Sequence, residues 1–319
     1  MKYNNCFIHT SSSSDSAPNK HNMNRRGFLK ASGLATITLG GMAFLTACGP
    51  APEGTSGSAD SQSGGSASPK HKFGSEGKMR VGMEANYAPY NWQTDTPSDY
   101  TIPIENVSGA YADGYDVQFA KIIAEAMDLE PVAVAMSFDG LVEACKKGQI
   151  DIICAGMTAT PDRAESVDFS DPYLEDTVAV ITKKNSKFAN ATSLKDLSGA
   201  TIVGQKSTFY DEAIDQIPNV NHVDGLEYAP DVVAQLQNDQ VEAITYSGAS
   251  ASKLLETYTD FVVCQLKDGF TGDYKSNNDN AAIAKGQDDV LKKINAAIAD
   301  VPAKERDEMW TACNERMPQ

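Results

Sequence analysis

The chain has 319 residues, 41% of them hydrophobic, with 27 basic against 43 acidic side chains and a formal net charge of −16. Such an acidic surface repels phosphate backbones, which excludes nucleic acid as a partner. Four histidines and six cysteines without a Cys-x-x-Cys spacing form no zinc pattern, so no metal is expected, and no cofactor is called for.

The first element in chain order is an export address. Asn24-Arg25-Arg26-Gly27-Phe28-Leu29-Lys30 is a twin-arginine pattern, and residues 31–45 are apolar but too few to span a bilayer. Residues 1–47 are therefore expected to be a signal peptide. Leu45-Thr46-Ala47-Cys48 looks like a lipobox, in which Cys48 becomes a lipid-modified N-terminus. Several acyl chains, palmitate among them, would anchor the protein to the outer face of the cell membrane. Five basic residues and one acidic residue lie before Cys48, so the remainder is more acidic still. Residues 48–74, rich in Gly, Ser, Ala and Pro, cannot bury enough apolar surface to offset their ordering entropy and read as a flexible tether.

A strand is predicted at 79–83, then an aromatic loop at 84–92. A polar stretch from 94 to 114, with Pro97, Pro103 and Gly109, reads as a hairpin or long loop. The spacing of Val117, Ala120, Ile123, Ala124 and Met127 predicts a helix over 116–127 with one core-facing stripe. Strands follow at 132–134, 150–154, 178–182, 201–203 and 243–245, and helices at 209–217, 288–299 and 303–315. Alternation of this kind gives an α/β fold with mostly parallel strands, whose ligands bind at the strands' carboxyl ends. Cys145 and Cys154 read as small buried apolar residues rather than a bridge.

Residues 139–173 carry the densest chemistry. They read as a short helix, a buried strand, a turn of small residues and a second helix with an arginine near its start. Thr160 caps that helix and Pro161 occupies its first turn. Hydroxyl and backbone N–H donors at Gly156, Met157 and Thr158 would face the Arg163 guanidinium, whose planar fork suits two carboxylate oxygens. The plainer reading of Arg163 is a surface pair with Glu165 or Asp168. Ser207-Thr208 precedes a helix and offers a second anion-friendly terminus, or simply caps itself.

Asp139-Gly140-Leu141, Gly148-x-Ile150-Asp151, Gly156-Met157-Thr158-x-Thr160-Pro161-x-Arg163 and Asp168-Phe169-Ser170-Asp171-Pro172-Tyr173 together resemble the polar amino-acid-binding proteins of bacterial ABC importers, from about residue 78 to residue 317. The resemblance implies a two-lobed periplasmic-binding-protein-like (type II) fold, each lobe a mostly parallel sheet flanked by helices. Residues 75–172 and 278–319 would form one lobe and 173–277 the other, joined by two chain crossings. It implies no covalent chemistry. The protein would close its lobes around a polar amino acid or related small carboxylate and deliver it, as a monomer, to a membrane permease with its ATPase. A dehydratase-like enzyme acting on a small cyclic carboxylate is the alternative on this fold; it needs an acid placed for proton transfer, and none is identifiable in the sequence.

Residue by residue, the resemblance places Tyr87 and Phe138 as aromatic walls, Glu84 at the ligand's side-chain end, and Ser207 and Thr208 across the cleft. Tyr90 and Trp92 read as packing. One departure stands out. Where amino-acid binders of this family carry an acid for the ligand's α-ammonium, the chain reads Tyr246-Ser247-Gly248. A buried ammonium without a carboxylate is costly, so Asp224, Glu227 or Glu84 would have to substitute, or the ligand is not an ordinary α-amino acid.

Overall fold

The computed structural model describes residues 72–272 and 277–318. The first strand, β1 (Lys78–Met83), buries Met79, Val81 and Met83 completely. The polar stretch after it folds into a small antiparallel sheet of β2 (Asn86–Tyr87), β3 (Asn91–Thr94), β4 (Ile102–Pro103) and β5 (Tyr111–Asp113). Gly114 follows at φ 133°, and a Cβ there would lie 2.2 Å from the Tyr90 carbonyl oxygen, so only glycine lets the chain pass. Helix α1 (Tyr115–Ala126) then buries Val117, Ala120, Ile123 and Ala124 as their spacing predicts, and Phe119 with them, while Met127, expected to extend the stripe, caps the helix end and is only partly buried.

Strand β6 (Glu130–Ala135), helix α2 (Leu141–Lys146), strand β7 (Ile152–Ile153), helix α3 (Pro161–Ala164) and strand β8 (Val167–Asp176) complete the first pass through one lobe. The chain next builds the second lobe from β9 (Val178–Lys183), β10 (Thr201–Val203), α4 (Phe209–Ala213), β11 (Asn221–His222), α5 (Ala229–Gln237), β12 (Ala243–Ser247), α6 (Gly248–Thr257) and β13 (Phe261–Val263). It returns through β14 (Asn277–Ala284), and α7 (Asp288–Ala299) and α8 (Ala303–Arg316) pack on α1. The two sheets run β6-β1-β7-β14-β8 and β11-β10-β12-β9-β13.

Sequence pattern suggested mostly parallel strands; each sheet is in fact mixed, with two parallel and two antiparallel pairings. The antiparallel ones involve β8, β9 and β14. A parallel neighbour requires a crossover connection, usually helical, whereas β8 runs almost directly into β9 and β14 returns beside β8. Its register pairs Asn277 with Asp176 and shifts on either side of Asn280. The expected strand at 150–154 is only two residues long, and the helix at 209–217 ends at Ala213 and tightens into a 3₁₀ turn at Ile214–Gln216. Cys145, Cys154, Cys264 and Cys313 are all buried free thiols.

Candidate functional site

Four parallel strands deliver the site at their carboxyl ends: Glu84 after β1, residues 155–158 after β7, residues 205–208 after β10, and Ser247 at the end of β12. Glu84, Tyr87, Phe138, Thr158, Arg163 and Gln205 are among the residues lining a narrow inner pocket. Through Thr158, Arg163 and Phe209 it meets an outer cleft of about 860 Å³.

Arg163 lies where the lobes face each other. The Thr160 hydroxyl caps its short helix, accepting from the Arg163 N–H at 3.3 Å. The guanidinium sits 5.2 Å from the Phe138 ring centroid, a cation–π contact. Its Nη1 donates to the Thr158 carbonyl at 2.7 Å and its Nη2 to the Ser207 carbonyl, in the other lobe, at 2.8 Å. Burial holds its pKa below the usual arginine value. Among the described residues lining the inner pocket and outer cleft, Arg163 is the one cation.

The turn beside it is committed largely to structure. Gly156 has φ 58°, donates its N–H to Asp116 Oδ1 at 3.2 Å, and lets the Tyr87 and Tyr90 rings approach to where a Cβ would meet them at 3.4 and 3.3 Å. Met157 is fully buried in the core, and its carbonyl accepts from the Asn280 N–H at 2.9 Å. The Thr158 hydroxyl contacts Asn277 Oδ1, and its backbone bridges to Asp279. Across the cleft, the Thr208 hydroxyl accepts from the Asp211 N–H at 3.3 Å and donates to the Gln205 carbonyl at 2.6 Å, while Ser207 contributes its carbonyl to Arg163.

Tyr87 stacks on Tyr90 with ring centroids 4.6 Å apart and an interplanar angle of 7°. Tyr246 meets Tyr87 edge-on at 6.1 Å. The Tyr90 hydroxyl lies 2.9 Å from Ser247 Oγ and donates to Asp176 Oδ2 at 3.0 Å, so Tyr90, expected only to pack, also makes polar contacts behind the pocket. Trp310 packs edge-on against Tyr90 at 5.1 Å, bringing α8 up behind the aromatic wall. Ser247 is fully buried, and its hydroxyl caps α6 by accepting from the Ser250 N–H at 3.1 Å.

Glu84 is 6% exposed and accepts from Gln205 Nε2 at 2.9 Å, a further contact between lobes. Burial pushes its pKa up to about 7, against the opposing effect of that hydrogen bond. Burial likewise pushes Asp116 up to about 6, although Tyr173, Asn91 and Gly156 all donate to it. Asp224 and Glu227 are exposed, so of the three acids considered for the ligand's ammonium only Glu84 is buried at the site. Gln205, Tyr210, Asp176 and Asp279, which sequence reasoning left out, also converge here. Asp279 stands in the polar run Asn277-Asn278-Asp279-Asn280, so its sequence neighbours give no signal of its burial.

Elevated carboxylate pKa values beside a cleft also suit proton transfer, so geometry by itself leaves enzyme and binder both open. Comparison with known proteins decides between them. The family described as bacterial extracellular solute-binding proteins, family 3, matches residues 79–310. The chain belongs to this family. It is therefore an extracellular solute-binding protein of ABC importers and not an enzyme. The arginine-binding extracellular protein ArtP of Bacillus subtilis is 30% identical to it over 209 residues, 65% of this chain and 78% of ArtP. The L-cystine-binding protein TcyJ of Escherichia coli is 26% identical over 234 residues, 72% of this chain and 80% of TcyJ. A crystal structure of the substrate-binding protein of an amino acid ABC transporter superposes with a TM-score of 0.63 at 27% identity, covering 75% of this chain and 99% of that one. The solute-binding protein described here shares their two-lobed α/β fold.

Proposed function

We propose that the ligand is a polar α-amino acid, held by its carboxylate at Arg163 and delivered to a membrane permease and its ATPase by a monomeric, lipid-anchored protein. Arg163 carries this reading: a half-buried guanidinium, braced by Phe138 and two carbonyls, at the point where the lobes meet. Its planar fork matches a carboxylate better than an ammonium donor would. Tyr87 and Phe138 would flank the ligand's side chain, with the Glu84–Gln205 pair at its polar end. Relatives named for binding arginine, cystine and histidine support an amino acid over other carboxylates.

A thermal-shift screen tests the ligand class. Protein refolded free of carried ligand is expected to respond to one or a few polar amino acids. At a hundred times its Kd a ligand adds about 2.7 kcal/mol, worth several degrees at this size. A response confined to carboxylates lacking an amino group would overturn the reading.

Signal peptide 1–47, Cys48 and the tether as far as residue 71 lie outside the described residues, whereas residues 72–74, expected as its end, already join the fold: Phe73 packs on the core and the Gly74 N–H donates to Asp151 Oδ1 at 2.9 Å. Among the described residues no helix is long and apolar enough to cross a membrane. Lipidation of Cys48 is the proposed means of retention. Cys48→Ala is expected to move the protein from the membrane to the soluble fraction on cell fractionation; continued membrane retention would argue against the anchor.

A further inference from the structure

Strands β8 and β14, which carry the chain between lobes, bring two buried aspartates together behind the aromatic wall. Their surroundings differ sharply. Asp176 accepts from the Tyr90 hydroxyl at 3.0 Å, the Tyr210 hydroxyl at 2.8 Å, and the Thr177 and Ala249 N–H groups at 2.6 and 2.7 Å. Asp279 is 0% exposed, and neither of its carboxylate oxygens has a hydrogen-bond partner among the described residues. The Tyr90 hydroxyl is near enough to favour the ionised form of Asp279, but its proton is directed at Asp176. Buried polar groups are satisfied almost without exception, so a carboxyl group left this way must keep its proton or await a donor.

Its position says which donor. Asn277 and Asp279 stand two apart on one strand and so share a face. Asn277 contacts the Thr158 hydroxyl, and Asp279 itself bridges through its backbone to Thr158, whose carbonyl holds Arg163. Asp279 also acts electrostatically on Tyr87 and Tyr210, which together with Thr158 line the inner pocket. Tyr87's hydroxyl is a second buried polar group without a hydrogen-bond partner there.

We propose that Asp279 is the acceptor for the ligand's ammonium group, performing from the crossing strand the task for which Ser247 has no charge. This rests on the amino-acid reading above. Asp176, already furnished with four donors, keeps the tyrosines in place and is a positioning residue. An ammonium brings donors and a positive charge to the one buried acid among the described residues that has neither. The titratable groups facing Asp279 are Asp176 and Asp116, both of which disfavour its ionisation, and Tyr87, Tyr90, Tyr115, Tyr173 and Tyr210. Asp279 therefore holds a proton before the ligand arrives, and binding releases it: the carboxyl O–H bond breaks, the proton goes to solvent, and the carboxylate pairs with the ammonium.

The test compares the full-length protein with its Asp279→Asn variant, which replaces a protonated carboxyl by a neutral isostere. The variant is expected to melt no lower than the unaltered protein, yet to bind the amino acid roughly a hundredfold more weakly. A des-amino analogue, with carboxylate and side chain intact, should bind both proteins equally. Binding of the amino acid to the variant within about threefold of normal would overturn the ammonium site alone. Failure of the unaltered protein to bind any amino acid would overturn the amino-acid reading and this inference with it. Should the variant not fold, calorimetry of the unaltered protein at neutral pH in two buffers of different ionisation enthalpy reads the proton directly. Release is expected with the amino acid and not with its des-amino analogue; no buffer dependence overturns the assignment.

Discussion

Arg163→Ala is expected to weaken amino-acid binding by roughly thirtyfold to several thousandfold, the range for removing one partner of a buried, hydrogen-bonded charge pair. Much of that loss is the cost of leaving the ligand's carboxylate buried without a counter-charge. The fold should survive, because Arg163 stands on a four-residue helix that Thr160 and Pro161 start without it. Two effects have to be separated, since Arg163 also links Thr158 in one lobe to Ser207 in the other. If its role were only to favour lobe closure, an amino acid and its methyl ester would lose affinity alike. If it pairs with the carboxylate, the ester binds the unaltered protein poorly, and acid and ester become nearly equal in the variant. Arg163→Lys should recover part of the loss, since an ammonium supplies charge without the fork. Near-normal affinity of Arg163→Ala by calorimetry would remove the carboxylate cradle.

How much of this was legible in the sequence depended on whether a residue's role is local. The Thr160 cap, the stripe of α1 and the ends of β10 and α7 follow from neighbours a few positions away, and short-range periodicity and capping chemistry reveal them. Glu84 was visible as a candidate, but not its pairing with Gln205, 121 positions along the chain. Tyr90 read as packing because an aromatic in a loop normally is; its hydroxyl finds Ser247 only once the lobes meet. Asp176 and Asp279 were invisible for the same reason. Each looks like a polar residue at a strand end, and it is the antiparallel return of β14 beside β8 that buries the two together. The mixed sheets have this origin too, since the helix–strand rhythm suggests parallel pairing while the two crossings impose the rest.

That burial makes the ligand-free protein lose stability as the pH rises through the weakly acidic range. Glu84 moves from an ordinary 4.5 to about 7 in the folded state and Asp116 from 3.8 to about 6, while burial also raises Asp176 and Asp279. Between the unfolded and folded values the folded state binds more protons than the unfolded one, so the slope of stability against pH is negative. The stabilisation is fully present below about pH 4 and disappears as each folded pKa is passed, which for Glu84 is near neutrality. Glu84 alone contributes about 3 kcal/mol over that window, at about 1.4 kcal/mol per unit of pKa. His222, raised by Asp211 and Asp215 despite desolvation, acts in the same direction. Asp139 and Glu242, held below their ordinary values, act oppositely and only toward the acid end, so stability should peak in the mildly acidic range. Thermal melts of ligand-free protein are expected to fall by several degrees from pH 5 to pH 7.5, and Glu84→Gln should raise the upper value and flatten the slope. A profile that instead climbs toward pH 7.5 would mean these carboxyl groups are solvated. A cationic ligand group acts on the same acids with the reverse sign, because it favours their ionised form. The melting increment produced by an amino acid should therefore be larger at pH 7.5 than at pH 5, so that the ligand restores at neutral pH what ionisation removes.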